Sequence, residues 1–73
     1  MPHERIETNR DIMDGKPVIR GTRVPVELVL RKLGAGMSPA DILVDHPRLT
    51  HQDLLAAQAF AADYLADEEI IRG

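Results

Sequence analysis

Three cations lie close together near the N-terminus, in the run GKPVIRGTRVPV at residues 15–26. They are Lys16, Arg20 and Arg23, and the hydroxyl of Thr22 lies between the two arginines. Lysine and arginine bind phosphates and carboxylates, and a guanidinium group can do so through two N–H donors at once. The run could therefore contact nucleic acid or an acidic protein surface. Alternatively, its cations only satisfy local carbonyl groups or water, as many surface charges do.

The glycines and prolines of this run constrain its backbone. Proline fixes φ and glycine allows positive φ, so the segment favours turns and extended conformation over helix. Short β-branched pieces at Val18-Ile19 and Val24, and weak alternation over residues 5–8, predict strands. We therefore expect residues 1–25 to form an extended arm or a small β-hairpin that carries the cations.

A helical pattern follows this arm. Apolar residues at positions 26, 29, 30 and 33 have the spacing of one helix face. Pro25 suits the first position of the helix, since a missing N–H is no loss there. Gly34 and Gly36 are typical of a helix end, because glycine readily takes the left-handed conformation.

Two further helix starts follow at Ser38 and Thr50. Each is an N-cap residue with an aspartate three positions later, and the last helix should continue to about Asp67. Two short helices with a four-residue link have the form of a helix-turn-helix pair. The predicted fold is one mostly α domain over the whole chain, with a trihelical, homeodomain-like or winged helix-turn-helix core at residues 26–67. The last six residues, 68–73, are expected to be a frayed tail.

The third predicted helix bears on DNA binding. Arg48 and Gln52, near its start, are residue types that contact phosphates and base edges. The segment 51–67 contains no Lys or Arg, however, and its three aspartates would repel phosphate: Asp53, Asp63 and Asp67. Any contact with DNA should therefore come from the arm, Arg48 and the doubled charge of a dimer, and should weaken strongly with salt.

The same helix has more apolar residues than a small trihelical core needs. We expect four of them to be internal: Leu54, Leu55, Ala57 and Ala61. Phe60, Tyr64 and Leu65 are better candidates for an interface with a second copy or another protein, because aromatic residues dominate such contacts.

Nothing in the sequence predicts an enzyme, a metal site or a cofactor. The chain has no Cys, and its three histidines are scattered: His3, His46 and His51. Asp41 and Asp45 have the spacing of neighbours on a helix, but Asp41 lies three residues after Ser38, where it supports the N-cap. We therefore expect no catalytic residue, no metal and no cofactor.

Length and charge favour a small binding protein. The 73 residues carry a net charge of −3, and 44% are hydrophobic. Residues 1–36 hold seven cations and five acids (+2), whereas residues 37–73 hold two cations and seven acids (−5). A core this small is close to marginal stability, so we expect association with a partner, or a homodimer or higher homo-oligomer.

No apolar run approaches the length of a membrane span, and the N-terminus is too polar for a signal peptide, so the expected location is the cytoplasm.

The strings GKPVIRGTRVPV, GAGMSPADIL and HPRLTHQDLLAAQAFAADYL resemble the small prokaryotic family called domain of unknown function 433. The similarity runs from about Arg5 to Leu65. It implies a compact homeodomain-like or winged trihelical fold. It also implies a VapB-type antitoxin role in a toxin-antitoxin system, because members are commonly encoded beside a PIN-like ribonuclease toxin. The resemblance supplies no catalytic or ligand-binding residue.

Three hypotheses follow. The first is an antitoxin-like protein that binds and neutralises a PIN-like ribonuclease toxin, with autoregulatory binding to operator DNA as an optional second activity. The second is a helix-turn-helix transcriptional repressor, and the third is an oligomerisation module that does not bind DNA. The candidate partner- or nucleic-acid-binding residues are Lys16, Arg20, Thr22, Arg23, Arg48 and Gln52, and the candidate interface residues are Phe60, Tyr64 and Leu65.

Overall fold

The computed structural model describes residues 3–67, in which two short strands precede three helices. The strands are β1 (Ile6–Glu7) and β2 (Val18–Ile19), with a 3₁₀ turn at Met13–Gly15 between them. The helices are α1 (Val26–Gly34), α2 (Pro39–Asp45) and α3 (His51–Asp67). The expected mostly α fold with three helices and an N-terminal hairpin is confirmed. The tail expected to fray, residues 68–73, lies outside the described residues.

The hairpin belongs to the core and is not a separate arm. β1 and β2 pair antiparallel, with Ile6 opposite Ile19 and Glu7 opposite Val18. Ile6, Val18 and Ile19 are buried, and Ile6 and Ile19 join the same apolar cluster as the helices. The division into an arm at 1–25 and a core at 26–67 therefore needs correction. The physical reason is that α1 and α2 have only 9 and 7 residues, and the apolar strand residues Ile6 and Ile19 pack into the same core.

The two ends of α1 follow from local chemistry. Pro25 is the N-cap and not the first helical residue, since its ψ of 143° is extended. At the other end, the Gly36 N–H bonds the Leu33 carbonyl and the Met37 N–H bonds the Lys32 carbonyl, both at 3.0 Å. These two bonds form a Schellman cap. Gly36 occupies its left-handed position with φ of 93°, as expected for a residue without Cβ.

The predicted starts of α2 and α3 are confirmed. The Ser38 hydroxyl oxygen accepts a bond from the Asp41 N–H at 3.1 Å. At α3 the exchange is reciprocal, because the Asp53 N–H donates to the Thr50 hydroxyl at 3.3 Å and the Thr50 N–H donates to the Asp53 carboxylate at 2.9 Å. This is a capping box, and it fixes where α3 begins.

The buried residues of α3 lie in its first half. Leu54 and Ala57 are in the core, but Leu55, which we expected to be internal, is 48% exposed. Leu55 is two positions from the buried Ala57. Two positions on a helix correspond to a rotation of about 200°, so Leu55 points away from the core. α3 has 17 residues and α1 has 9, so α3 is about 25 Å long against about 14 Å for α1. The second half of α3 therefore extends past the core.

None of the helices in the described part of the chain is long and apolar enough to cross a membrane.

A core substitution in the hairpin tests its structural role. Ile19 is fully buried, so Ile19→Ala should lower the free energy of unfolding by about 2–5 kcal/mol, measured by urea denaturation. Val44 is 77% exposed, and Val44→Ala should change it by less than about 0.5 kcal/mol. Equal effects of the two changes would show that the hairpin is not part of the core.

Candidate functional site

Two cations of the GKPVIRGTRVPV run have acidic or carbonyl partners within the fold. Arg20 donates from Nε to the Glu4 carbonyl at 2.6 Å and from Nη1 to the Glu7 carboxylate at 3.2 Å. The Lys16 ammonium lies 3.4 Å from the Glu27 carboxylate. Arg20 thus connects β2 to the chain around β1, and Lys16 connects the loop before β2 to α1. The contacts of Arg20 and Lys16 therefore agree with the alternative given above, in which these cations satisfy groups of the protein itself.

Thr22, a candidate partner-binding residue, uses its hydroxyl within the turn. The hydroxyl donates to the Ile19 carbonyl at 2.7 Å and accepts from the Val24 N–H at 3.0 Å. The Ile19 N–H also bonds the Val24 carbonyl at 2.9 Å, and Gly21 takes a positive φ of 82°. These bonds close a tight loop between Ile19 and Val24, so Thr22 shapes this loop.

Arg23 lies inside that loop and differs from the other two cations. Its side chain is exposed, and it makes no ion pair or side-chain hydrogen bond with any residue in the range 3–67. The bonds of Thr22 hold the backbone on both sides of it. Among the side chains that the structure describes, Arg23 therefore has no ion-pair partner, and it stands on a backbone held by the bonds of Thr22.

Arg48 and Gln52 flank the start of α3. Both are exposed, and neither makes a side-chain hydrogen bond within residues 3–67. Gln52 is the second residue of α3, and Arg48 lies three residues before its first residue, His51. Asp53, expected to repel phosphate, is only 7% exposed and accepts a bond from Arg5 Nη1 at 3.1 Å. Asp53 therefore caps α3 and does not present its carboxylate on the surface, where it would repel phosphate.

The candidate interface residues do lie together. Phe60, Tyr64 and Leu65 form one wall of an open groove of about 540 Å³ between α1, the second half of α3 and the loop before β2. Phe60 is half-buried and packs against the core, whereas Tyr64 is 55% exposed. The other lining residues are mostly apolar: Thr8, Gly15, Pro17, Val26, Glu27, Leu30 and Ala61.

The aromatic wall is continuous with the N-terminal segment. The Phe60 and Tyr64 rings stack with centroids 6.2 Å apart, and the His3 and Phe60 rings form a T-shaped pair with centroids 5.3 Å apart. His3 Nε2 also lies 2.9 Å from the Asp63 carboxylate. These contacts fix Phe60 and so define the position of the wall.

The two sides of the groove differ in charge. On the α1 side, the Glu27 carboxylate is shared by Lys16 at 3.4 Å and Arg31 at 3.6 Å, so this side has no net negative charge. On the α3 side the lining residues carry no charge, and Asp63, which is 66% exposed, is not among them and bonds His3. The groove is therefore lined mostly by apolar side chains, and its acidic lining residue, Glu27, lies on α1.

Sequence reasoning found the aromatic wall but missed the groove. Its other parts come from α1 and from residues 15–17, and no local pattern predicts which loops pack beside a helix. Only the excess of apolar residues on α3 pointed toward a surface of this kind. Among residues 3–67, no group of three or more His, Asp or Glu side chains is arranged to hold a metal ion.

Comparison with known proteins identifies relatives without an assigned activity. The chain is 38% identical over 58 residues to the uncharacterized protein y4eO of Sinorhizobium fredii (strain NBRC 101917 / NGR234), which covers 80% of this chain and 26% of that protein. A crystal structure of a DUF433 member protein from Anabaena variabilis ATCC 29413 superposes with a TM-score of 0.77 at 29% identity, covering 81% of this chain and 58% of the other. The chain thus spans about a quarter of the curated relative and less than two thirds of the solved one.

The family model described as protein of unknown function (DUF433) matches residues 6–61. This match begins at β1 and ends in the second half of α3, so it includes the hairpin, the Arg23 loop and, from the aromatic wall, Phe60. The chain belongs to the DUF433 family.

Proposed function

We propose that the protein is an antitoxin-like binding module that neutralises a PIN-like ribonuclease toxin. The observation that carries this proposal is Arg23, which is exposed on a hydrogen-bonded loop and makes no ion pair with the side chains that the structure describes. A ribonuclease site of this type is rich in carboxylates around a metal, and a guanidinium group matches a carboxylate through two parallel bonds. Inserted into that site, Arg23 would occupy the acidic groups that the enzyme needs.

The rigidity of the loop supports this role. A side chain held on a fixed backbone loses less entropy on binding than one on a flexible segment. Arg20 and Lys16 contribute indirectly, because their ion pairs with Glu7 and Glu27 hold the hairpin in place. The similarity to a family commonly encoded beside such ribonucleases supports the choice of partner.

We propose the cytoplasm as the location, since the toxin's RNA substrates lie there.

Arg23 should decide the strength of the complex with the ribonuclease encoded next to this gene. Reversing its charge by Arg23→Glu should weaken binding at least tenfold and restore ribonuclease activity, because it brings like charges together at the enzyme's carboxylates. Binding is measured by calorimetry and the activity with a fluorescent RNA. Arg10→Glu is the matched control, since Arg10 is also exposed and makes no ion pair within residues 3–67.

Two outcomes contradict the proposal. The first is elution of the two co-expressed proteins as separate species from a sizing column. The second is an Arg23→Glu variant that binds as tightly as the Arg10→Glu control.

The exposed Arg48 and Gln52 at the start of α3 favour a second candidate function, binding to operator DNA. With Arg23 and Arg48 as its phosphate contacts, each chain would lose about tenfold in affinity between 50 and 200 mM salt. A gel-shift experiment with the upstream DNA measures this dependence. Equal affinity for a scrambled sequence would exclude specific repression.

Self-association into a homodimer or a larger homo-oligomer stays a prediction, which sedimentation equilibrium can test.

A further inference from the structure

We propose that Thr22 is a positioning residue for Arg23: its hydroxyl fixes the direction in which the guanidinium group leaves the fold, and it does not bind the partner itself. The inference rests on the proposed function for what Arg23 binds, and it adds the group that makes this arginine effective. It also replaces the direct contact expected of Thr22 from the sequence with an indirect role.

The loop around Arg23 is held by the residues on either side of it. The Thr22 N–H donates to the Ile19 carbonyl at 3.1 Å, and the positive φ of Gly21 suits the third position of such a turn. The Thr22 hydroxyl donates to the same carbonyl at 2.7 Å and accepts from the Val24 N–H at 3.0 Å. Arg23 makes none of these bonds, so the course of its backbone depends on the hydroxyl group next to it.

The Thr22 hydroxyl has no donor left for a partner. A hydroxyl group has one O–H donor and two lone pairs that accept. In Thr22 the donor is used on the Ile19 carbonyl, and one lone pair is used by the Val24 N–H. An ionised carboxylate has only acceptor oxygens, so Thr22 can bind one only by breaking a bond that closes the loop. A role through Arg23 is therefore favoured over direct contact with an acidic site.

Other bonds anchor the two ends of the loop. The Ile19 N–H bonds the Val24 carbonyl at 2.9 Å, and the Val26 N–H bonds the Pro17 carbonyl at 3.0 Å. Val24 also packs against the apolar core. Loss of the hydroxyl should therefore release the segment between Ile19 and Val24 without unfolding the domain. The effect of the hydroxyl is local, and it falls on Arg23, which lies inside that segment.

A fixed backbone lowers the cost of binding through a long side chain. Binding through an arginine already orders many side-chain rotamers, and ordering a loose loop at the same time adds to that cost. The hydroxyl bonds order the loop before the partner arrives. Valine has the same branched shape as threonine but no hydroxyl, so Thr22→Val should transfer the cost of ordering the loop to the binding step.

Backbone dynamics of the free, full-length protein test the inference without a partner. The ¹⁵N order parameter of the Arg23 amide should be about 0.85 in the native chain and in Thr22→Ser, which keeps the hydroxyl, and below about 0.6 in Thr22→Val. Circular dichroism checks that Thr22→Val keeps the fold, and Thr22→Ala takes its place if it does not. An Arg23 amide that stays as ordered without the hydroxyl as in the native chain would overturn the inference.

A double-mutant cycle separates a role through Arg23 from a contact with the partner. With the ribonuclease encoded next to this gene, Thr22→Val should weaken binding about fivefold in the native background and less than about twofold in the Arg23→Ala background. Thr22→Ser should bind within about twofold of the native chain. Equal losses in the two backgrounds would show that Thr22 contacts the ribonuclease itself, and the inference would then be wrong.

The proposed function and this inference fail in different ways. If Arg23→Glu binds the ribonuclease as tightly as the Arg10→Glu control, the proposed function fails, and the order parameters still decide the role of Thr22. If Arg23→Glu weakens binding and Thr22→Val binds like the native chain, this inference alone fails.

Discussion

The buried carboxylate of Asp53 holds the first strand and the third helix in one arrangement. One of its oxygens accepts a bond from the Thr50 N–H at the start of α3, and the other accepts a bond from Arg5, next to β1. A carboxylate removed from water is unfavourable unless such partners satisfy it. The fold therefore needs the N-terminal segment beside the N-terminal end of α3, and the positions of the hairpin and of α3 depend on each other.

This constraint decides which residues remain for binding. Since the hairpin is fixed against the helices, Arg20 pairs with Glu7 across it and Lys16 pairs with Glu27 on α1. Thr22 closes the loop between Ile19 and Val24 that follows β2. Arg23 is left exposed on that loop. Asp53 fixes the start of α3. Because α3 is longer than the part of it that packs on the core, Tyr64 and Leu65 lie beyond the core. Two separate surfaces result, a loop that carries the exposed Arg23 and an apolar groove between α1 and α3.

Local chemistry made the helices predictable. N-caps at Ser38 and Thr50 and the glycine at Gly36 act within four residues, so the sequence contains what is needed to infer them. Pro25 was misjudged by one position, because the same fixed φ suits an N-cap and a first helical residue. Leu55 was misjudged because an almost wholly apolar helix segment does not reveal which face is inside.

Long-range contacts could not be inferred in this way. Arg5 and Asp53 are 48 positions apart, and either could have paired with solvent or a nearer residue. The burial of the hairpin was hidden for the same reason, since two-residue strands give almost no alternation to detect. The aromatic wall was anticipated from composition, but its opposite side, on α1 and the loop before β2, depends on the packing that these distant contacts create.

Native-state hydrogen exchange tests most directly whether the hairpin and the helices form one unit. The Arg20 amide bonds the Arg5 carbonyl at 2.7 Å and the Val26 amide bonds the Pro17 carbonyl at 3.0 Å. Both should open with the same free energy as the slowest amides of α3, and that energy should equal the free energy of global unfolding in urea. Hairpin amides that open at least about 2 kcal/mol more easily, with no dependence on urea, would show a detachable arm and contradict the account.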